Sequence, residues 1–367
     1  MKFIDEYRDP DLIRGLLKRI EETLRNIGRP VSVMEVCGTH TMAIGRFGLR
    51  NLLPPELCLV SGPGCPVCVT AIEDVDRALY LAGRERVLFA TFGDMLRVPG
   101  TKGATLQKLR AAGADIRVVL SSLDVLALAK GNGAREVVFM GIGFETTAPT
   151  TASLILRARE RKLDNLTIFS VHKVIPPAMK ALVEDPELNI DGFLCPGHVS
   201  TIIGSGPYDF LPEKAGASAV ITRFEPADIL EGILMILRQI ETGKRKVEIQ
   251  YTRAVNPEGN PRATAIMEKV FEPGPARWRG LGDIAGSGLL IREPYGTLDA
   301  ARRFTFPEMT SEEIRGCSCG AILRGAKQPP QCPLFRIRCN PRNPLGPCMV
   351  SSEGTCAAYY RYGGETA

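Results

Sequence analysis

Cysteine is the residue type with the widest chemical capability in this sequence, and its eleven copies fall into two groups. Five are spread over the N-terminal two thirds of the chain, and six are concentrated near its C-terminus. An odd number of cysteines in a reducing compartment argues for metal ligands or redox thiols rather than a disulfide framework. The two groups therefore predict two different pieces of chemistry.

The C-terminal group has the residues of an iron–sulfur site. Its members are Cys317, Cys319, Cys332, Cys339, Cys348 and Cys356. Four thiolates from a loop-rich segment are the usual ligands of a [4Fe–4S] cluster. Zinc, which also takes four thiolates, is the alternative, but the closely spaced cysteine pairs of zinc knuckles are missing. We expect the cluster.

Six cysteines exceed the four that a cluster needs. Cys317 and Cys319 are separated by one residue, so we do not expect both to bind the same cluster. One of them is free to pair with Cys348 as a redox-active disulfide beside the cluster.

Four of the five N-terminal cysteines lie where strands are predicted to end, and so do all three histidines. The fifth, Cys58, lies inside a predicted strand, where we expect it to be a small buried apolar residue. Cys37 opens the motif Cys-Gly-Thr-His, which ends at His40. A cysteine at a strand-to-helix turn is exposed to backbone N–H groups that stabilise its thiolate, so Cys37 is a candidate iron ligand or nucleophile. Inert packing is the competing interpretation. Cys65 and Cys68 have the spacing of a redox dithiol, and half of a zinc site is the alternative.

Two further candidates follow later strands. Glu145 lies in Gly-Phe-Glu-Thr-Thr, where it could supply hydrogen bonds or carry a proton, or the segment could simply cap the next helix. His198 follows Cys195-Pro196-Gly197, and only its position assigns it to a site. The glycines near Glu145 lack the third glycine of a dinucleotide fingerprint, so we predict no nucleotide.

These residues need a parallel sheet to bring them together. Short β-branched runs alternate with helical segments, which predicts an α/β fold with Rossmann-like parallel sheets. The predicted strands are 31–36, 57–60, 87–90, 116–120, 137–140, 167–170, 192–194 and 219–221. Ligands of such sheets bind beyond the carboxyl ends of the strands, where the motifs above lie.

Length and composition set the domain organisation. The 367 residues suit two or three domains. We predict one α/β domain over 31–132 and a second over 133–245. A third domain would join 1–30 to 246–367, where proline and glycine are frequent and a metal cluster would supply the stability that apolar burial does not.

The charge pattern excludes several classes of partner. The formal net charge is +5, and basic residues alternate with acidic ones without a basic run, so we expect no nucleic acid partner. No apolar stretch is long enough to span a membrane, and the first residues carry acids where a signal peptide needs a basic start. We therefore expect a cytoplasmic protein.

Taken together, the motifs resemble those of the HypD family of nickel–iron hydrogenase maturation proteins over essentially the whole chain. The matching segments are 37–40 (CGTH), 62–68 (GPGCPVC), 91–94 (TFGD), 143–147 (GFETT), 196–200 (PGHVS) and 349–354 (MVSSEG). So many motifs in one order are far more specific than any single motif.

The resemblance implies a scaffold on which the Fe(CN)2CO centre is built, rather than an enzyme. It implies that Cys37 binds the iron together with a small HypC-type partner, and that a HypE-type partner delivers cyanide. Cys65 and Cys68 would shuttle electrons or hold the iron. An iron–sulfur-dependent thiol/disulfide oxidoreductase is the alternative function, although such an enzyme has no need of the motif at Cys37.

The resemblance also implies roles for the C-terminal cysteines. Its cluster ligands correspond best to Cys319, Cys332, Cys339 and Cys356. Cys317 and Cys348 would then be the additional redox pair. The implied fold is two similar α/β domains and a third domain that carries the cluster.

Overall fold

The computed structural model describes residues 4–363 of the chain. Within them, strands and helices alternate from residue 31 to residue 249, and the later segment has little regular structure apart from one hairpin. The strands are β1 (Val31–Glu35), β2 (Leu57–Ser61), β3 (Val87–Thr91), β4 (Ile116–Val118), β5 (Glu136–Gly141), β6 (Leu166–Ser170), β7 (Gly192–Pro196), β8 (Ser218–Thr222), β9 (Val247–Ile249), β10 (Phe271–Trp278) and β11 (Gly282–Ile291). All eight predicted strands are confirmed, each within two residues of its predicted ends.

The helices connect these strands or follow them. They are α1 (Pro10–Ile27), α2 (Gly38–Arg46), α3 (Leu49–Leu52), α4 (Pro66–Val69), α5 (Ile72–Ala82), α6 (Leu106–Ala111), α7 (Val125–Gly131), α8 (Ala148–Glu160), α9 (Ile175–Val183), α10 (Gly197–Ile203), α11 (Phe210–Lys214), α12 (Pro226–Thr242), α13 (Pro261–Val270), α14 (Ala300–Arg303), α15 (Cys319–Leu323), α16 (Pro347–Val350) and α17 (Thr355–Tyr362). Short 3₁₀ helices cover Asp5–Arg8, Gly93–Arg97, Thr101–Gly103, Ser122–Asp124, Gly206–Tyr208, Glu293–Leu298 and Pro329–Gln331.

The N-terminal helix shows how local sequence sets these boundaries. The Asp9 carboxylate accepts hydrogen bonds from the amides of Asp11 and Leu12, and Pro10 occupies the first helical position, where no amide hydrogen is needed. The helix ends at Gly28, whose φ of 69° is in the left-handed region that glycine adopts without strain.

Two parallel sheets form the centre of the molecule. The first has five strands in the order β2-β1-β7-β8-β9, and the second has four in the order β4-β3-β5-β6. Every neighbouring pair within both sheets is parallel, as the alternation of strands and helices predicted. The fold is thus two Rossmann-like α/β units and a further region with a small antiparallel sheet.

The strands do not divide at residue 132 as predicted. β1 pairs with β7 through Val33 and Gly192, so the first sheet takes strands from both ends of the α/β segment. The second sheet, β3 to β6, is inserted between β2 and β7. The predicted domains 31–132 and 133–245 therefore do not correspond to the two sheets, because each predicted domain contains strands of both. Strand periodicity identifies strands but carries no information about which distant strand becomes a neighbour.

The predicted third domain is wrong in one part as well. Leu16, Ile20 and Leu24 of α1 are buried in one core with residues of β1, β2 and α12, so this helix belongs to the first α/β unit. Strand β9, at 247–249, also belongs to the first sheet. An amphipathic helix packs on whichever apolar face is open to it, and neighbouring positions in sequence do not decide that choice.

Beyond β9, the chain packs along both units. The antiparallel hairpin β10–β11 buries Phe271, Leu289 and Ile291 against the second unit. Its other end carries Trp278, which is buried and stacks on Phe144 with ring centroids 5.9 Å apart. The hairpin therefore reaches the loop after β5, one of the segments expected at the site. In residues 4–363 we find no helix of the length and apolarity that a membrane crossing requires.

Candidate functional site

A cavity of about 370 Å³ lies where the carboxyl ends of strands from both sheets meet. Cys37 lines it from the end of β1, Pro66 from beyond β2, Phe144 from beyond β5 and His198 from beyond β7. Glu353, from the C-terminal segment, completes the wall. The expected position of a ligand site in a parallel α/β fold is thus occupied by the predicted motifs.

Cys37 is held at the start of α2 by close backbone packing. Its amide donates a hydrogen bond to Glu35 Oε2 at 3.3 Å. Gly64 lies directly against it, because a Cβ atom on Gly64 would lie 2.2 Å from the Cys37 nitrogen. The carbonyl of Gly64 also accepts a hydrogen bond from the Gly38 amide at 3.0 Å. The loop after β2 therefore fixes the position of the Cys37 backbone.

The Cys37 thiol is buried, with 7% of its residue surface exposed. Burial raises its pKa to about 12, and the nearby Glu353 carboxylate adds to the shift. Hydrogen bonds with the amides of His40 and Thr39 act in the opposite direction but are smaller. The isolated thiol is therefore protonated at neutral pH, and a metal ion bound here must displace a proton.

Glu35 is a site residue that the sequence analysis missed. It is fully buried at the end of β1, and burial raises its pKa to about 7. Thr41 donates a hydrogen bond to Glu35 Oε1 at 2.5 Å, so the carboxylate ties the strand end to the second turn of α2. A charged residue inside a β-branched strand run was the signal that could have revealed it.

The two histidines of the site have different surroundings. His198 lines the cavity, and its ring packs 4.1 Å from the ring of Phe224. The His40 ring also packs against Phe224, with the ring centroids 4.7 Å apart. The His40 Nε2 atom hydrogen-bonds Thr222 Oγ1 at 2.9 Å, and burial lowers the pKa of His40 to about 4. His40 therefore supports the end of β8 as a neutral ring and does not line the cavity.

Glu145 lies behind the cavity wall. Its side chain is buried, Oε1 accepts a hydrogen bond from the Ile175 amide at 2.9 Å, and burial raises its pKa to about 7. Among the described residues, Oε2 of Glu145 has no hydrogen-bond partner. The carboxyl group caps the N-terminus of α9 rather than that of α8. Its position is compatible with both expected roles, the supply of hydrogen bonds and the carrying of a proton.

Cys65 and Cys68 are joined by a disulfide bond, as their spacing allows. Cys65 caps α4, because its sulfur accepts a hydrogen bond from the Cys68 amide at 3.2 Å. The neighbouring Pro66 lines the cavity of Cys37. On the opposite side, the Cys68 sulfur lies 4.0 Å from the carbonyl oxygen of Pro347, the residue before Cys348. The pair thus lies between Cys37 and the C-terminal cysteines.

Arg279, at the end of the β10–β11 hairpin, braces this junction. It is 5% exposed, its Nε donates to the Thr70 carbonyl at 3.0 Å, and its guanidinium forms an ion pair with Glu313. Its backbone amide donates to the Val69 carbonyl at 3.0 Å. The next residue, Gly280, approaches the backbone of Gly320 directly after Cys319. Nothing in the sequence pattern of Arg279 distinguished it from surface arginines.

All six C-terminal cysteines line one small pocket. Its other walls are apolar and are formed by Ile322, Leu334, Phe335 and Met349. Cys332, Cys339 and Cys356 are buried but lie near the surface, with 7–8% of each exposed. The pocket therefore brings together the residues that the sequence analysis assigned to a cluster and to a redox pair.

The geometry within this pocket favours a different pairing from the expected one. The sulfur atoms of Cys319 and Cys348 lie 2.9 Å apart. Hydrogen bonds from Cys317 and Cys348 hold the pKa of Cys319 well below that of an ordinary thiol, and the charge of Arg279 adds to the effect. Cys319 is thus the thiolate of the pair. The sequence had left Cys317 and Cys319 both open as partners of Cys348, and the resemblance had implied Cys317.

A [4Fe–4S] cluster fits this donor set. If Cys319 pairs with Cys348, four thiols remain in the same pocket, namely Cys317, Cys332, Cys339 and Cys356. Within residues 4–363, no three metal-binding side chains converge closely enough to surround a single ion. A cluster distributes its four thiolates over four irons, so its ligands need not converge on one point.

Two remaining cysteines have simpler surroundings. Cys195 is fully buried in β7, and burial raises the pKa of its thiol. Cys58 was expected to be a buried residue of β2, and this expectation is wrong because the residue is exposed. β2 is an edge strand of the first sheet, and Leu57 and Leu59 on its other face are the buried residues.

Glu353 lines the cavity, and the sequence analysis missed its role although its motif had been noted. Thr39 Oγ1 donates a hydrogen bond to Glu353 Oε1 at 2.8 Å. An acid in an otherwise uncharged motif, Met349–Gly354 in sequence, was the available signal.

Comparisons with known proteins agree with these motifs. A family model named HypD, described as "Hydrogenase formation hypA family", matches residues 11–363. The chain is 47% identical over 376 residues to the hydrogenase maturation factor HypD of Rhodobacter capsulatus, with all of both chains covered. It is 48% identical to the hydrogenase expression/formation protein HupD of Azotobacter chroococcum mcd 1, over 99% of this chain and 97% of the relative. It is 43% identical to the HypD of Escherichia coli (strain K12), over 99% and 98% of the two chains. The chain therefore belongs to the HypD family of hydrogenase maturation factors.

Proposed function

We propose that this hydrogenase maturation factor is the scaffold on which the Fe(CN)2CO centre of nickel–iron hydrogenases is assembled. The iron is cargo, held by the Cys37 thiolate in the cavity between the two α/β units. A HypC-type small partner provides a second thiolate, and a HypE-type partner delivers cyanide. The protein acts in the cytoplasm as a scaffold with redox capacity rather than as an enzyme with turnover.

One observation carries the proposal: the Cys65–Cys68 disulfide lies next to both the cavity of Cys37 and the C-terminal pocket of cysteines. Pro66, next to Cys65, lines the cavity of Cys37, and the Cys68 sulfur lies 4.0 Å from the Pro347 carbonyl. Cys348 follows Pro347 and lies 2.9 Å from Cys319. A scaffold that reduces its bound iron needs such an arrangement, since electrons must reach the iron from a protected store.

The two thiol pairs have complementary tasks in this scheme. Each pair, when oxidised, takes up two electrons and two protons and becomes a dithiol. With Cys317 bound to a cluster, the Cys348 thiol and the positive charge of Arg279 still act to lower the pKa of Cys319, which suits this thiol to attack a disulfide. Reduction of the Cys65–Cys68 disulfide beside Pro347 would then place two electrons next to the iron cavity.

We propose that Cys317, Cys332, Cys339 and Cys356 hold a [4Fe–4S] cluster. A cluster in this pocket supplies electrons one at a time. The apolar walls formed by Ile322, Leu334 and Met349 exclude water from the thiolates. The set replaces the one expected from the resemblance, in which Cys319 was a ligand, because Cys319 lies against Cys348.

Cys37 has the surroundings of a cation site. Burial and the neighbouring Glu353 carboxylate raise the pKa of the thiol, so a proton is held there until a cation replaces it. The same negative charge stabilises a bound ferrous ion. Soft thiolates also suit an iron that carries strong-field diatomic ligands.

Infrared spectroscopy tests the proposal. The protein is purified without oxygen together with its HypC-type partner, and beside it a Cys37→Ala variant and a Cys58→Ala control. Cyanide and carbon monoxide stretching bands should be present in the wild type and in the control, and absent from Cys37→Ala. Bands of equal intensity in Cys37→Ala would remove the iron from Cys37 and overturn the proposal.

A thiol/disulfide oxidoreductase is the second candidate, favoured by the position of the Cys65–Cys68 disulfide beside Cys348. It predicts no diatomic bands in any sample, with iron and sulfide still present in cluster amounts. It also predicts that Cys68→Ser abolishes reduction of a protein disulfide substrate, whereas Cys37→Ala leaves that reaction unchanged.

A further inference from the structure

The C-terminal segment has a charge distribution unlike that of the rest of the chain. No acidic residue occurs between Glu313 and Glu353, whereas elsewhere basic and acidic residues alternate. The basic residues of this interval are Arg315, Arg324, Lys327, Arg336, Arg338 and Arg342. Arg324 is neutralised by Asp185 and Glu187, at 3.3 and 3.7 Å. The remaining positive charge is concentrated around the loop 335–342, which we name the basic loop.

The basic loop is a turn held by backbone hydrogen bonds around Cys339, one of the cysteines of the C-terminal pocket. The Arg336 amide donates to the Cys339 carbonyl at 3.1 Å, and the Cys339 amide donates to the Leu334 carbonyl at 2.8 Å. Arg336 has a φ of 60°, in the left-handed region that a residue with a side chain adopts only when its surroundings enforce it. A turn held this firmly presents its side chains in fixed positions.

The arginines of the loop are fixed at their backbones and exposed at their charges. Asn343 Nδ2 donates to the Arg338 carbonyl, and Asn340 Oδ1 accepts from the Arg342 amide, both at 3.0 Å. The Arg336 guanidinium lies over the Tyr360 ring, 5.5 Å from its centroid, and donates to the Gly363 carbonyl at 3.2 Å. Within the described residues, none of these three arginines has a carboxylate partner.

An apolar residue stands at the centre of this positive surface. Ile337, between Arg336 and Arg338, is 77% exposed. An exposed isoleucine ringed by charges matches the layout of a transient protein–protein interface, which has an apolar centre and a charged rim. A surface for nucleic acid would instead present a row of cations to successive phosphates.

The same loop lies against the pocket thiols. Cys332 precedes it by three residues, Cys339 lies within it, and its Phe335 lines the pocket. These two cysteines are only 8% and 7% exposed, so the loop covers the thiols while leaving very little protein between them and solvent. A redox protein seated on the loop would be within a few side chains of the thiols.

We infer that the basic loop, with Ile337 at its centre, is the docking surface for an electron-carrier protein that has an acidic face. The inference rests on the proposed function, because it supplies the electrons which that function consumes. Each encounter would pass one electron from the reduced carrier to the cluster that the pocket cysteines would hold, and the carrier would leave oxidised. Two encounters and two protons from water convert one disulfide of the chain into a dithiol.

Charge reversal with an acidic probe protein tests the inference. The probe is a plant-type [2Fe–2S] ferredoxin, reduced for stopped-flow measurements on the cluster-loaded protein and oxidised for calorimetry. The variant carries Arg338→Glu and Arg342→Glu. The matched control carries Arg238→Glu and Arg262→Glu, two exposed arginines on α12 and α13. Methyl viologen radical, a small cation, serves as a second reductant.

The loop variant should lose about tenfold or more in both the second-order rate of reduction by ferredoxin and the affinity for it, because charge complementarity chiefly governs encounter. The control should remain within about twofold of the wild type, and high salt should remove most of the difference. Ile337→Ser should weaken binding while preserving its dependence on salt. Reduction by methyl viologen should not slow in any variant.

Equal ferredoxin binding by the loop variant and the control would overturn the inference. So would slowing with methyl viologen, which would mean that the variant damages the pocket rather than the docking. Tight binding of a random DNA duplex to the wild type, in competition with ferredoxin, would assign the surface to nucleic acid instead. A protein that holds no cluster would contradict the proposed function, and calorimetry with oxidised ferredoxin would still decide whether the loop docks the carrier.

Discussion

Thr39 Oγ1 donates a hydrogen bond of 2.8 Å to Glu353 Oε1, which joins the first turn of α2 to the segment that follows Cys348. The contact is tight, because a Cβ atom on Gly38 would lie 2.6 Å from the Glu353 Cβ. The C-terminal segment therefore brings a carboxylate to the entrance of α2, where it faces the Cys37 thiol. The two sites of the protein are linked by charge as well as by position.

Replacement of Glu353 by Gln tests this link. The amide keeps a hydrogen-bond acceptor for Thr39 but removes the charge that raises the pKa of Cys37. We expect Cys37 to react several-fold faster with iodoacetamide at pH 8, as measured by mass spectrometry of the Cys37 peptide. Glu258→Gln, at an exposed position in the loop before α13, is the control. An unchanged rate in Glu353→Gln would mean that burial alone sets the pKa.

Gly64→Ala should displace Cys37. The new methyl group would lie 2.2 Å from the Cys37 nitrogen, and the backbone on both sides must move to accommodate it. We expect loss of the diatomic infrared bands with the brown cluster retained, and a destabilisation of about 1–3 kcal/mol in urea unfolding. The control is Gly131→Ala, where a Cβ atom meets nothing within 4 Å. Full band intensity in Gly64→Ala would show that Cys37 need not be held this closely.

Cys317→Ser and Cys348→Ser distinguish the two assignments of the C-terminal thiols. Because Cys348 lies 2.9 Å from Cys319, its replacement should leave the cluster in place and impair only reduction of the Cys65–Cys68 disulfide. Cys317→Ser should lose brown colour, iron and sulfide. Metal and sulfide analysis of the purified variants decides between the sets. The reverse pattern would restore Cys319 as a cluster ligand.

His172 should make the protein sensitive to mild acid. Burial lowers the pKa of this histidine to about 3, and its ring nitrogens contact Thr151 and Ser170, both at 3.2 Å. The folded pKa lies below the unfolded value, so the stabilisation is complete above about pH 6.5 and is lost as the pH falls. His172 alone should remove about 2 kcal/mol of stability between pH 7 and pH 5.

Urea unfolding at pH 7, 6 and 5 measures this effect. His172→Asn keeps a hydrogen-bonding side chain but cannot take up a proton in this range. The free energy of unfolding of the variant should therefore fall less steeply with acid than that of the wild type. Parallel curves for the two proteins would assign the acid sensitivity to other groups, His40 among them.

Local sequence patterns predicted the elements of this fold well, and the reason is physical. Each strand and helix is specified by periodicity and by caps within a few residues, as Asp9 and Gly28 show for α1. Strand order is a property of tertiary packing, so the pairing of Val33 with Gly192 was beyond such patterns.

The residues of the site likewise divide into those that local sequence reveals and those that only tertiary packing reveals. Cys37, Cys65 and His198 were found because rare residue types at strand ends are visible in sequence. Glu353 and Arg279 act through contacts with distant segments, and Glu35 acts through its contact with Thr41 across the strand-to-helix turn; each is a common residue type. The pairing of Cys348 depends on a distance of a few ångströms between α15 and α16, which spacing along the chain cannot specify.

The order of the strands also bears on how the protein is made. The second sheet is built from consecutive strands and can form as soon as β6 has been synthesised, whereas β1 must wait for β7 to emerge from the ribosome. Until then, Cys37, Cys65 and Cys68 belong to a nascent chain without a completed cavity. Because the second unit is inserted between β2 and β7, the cavity wall that joins Cys37 to His198 is completed only after the whole second unit has been synthesised.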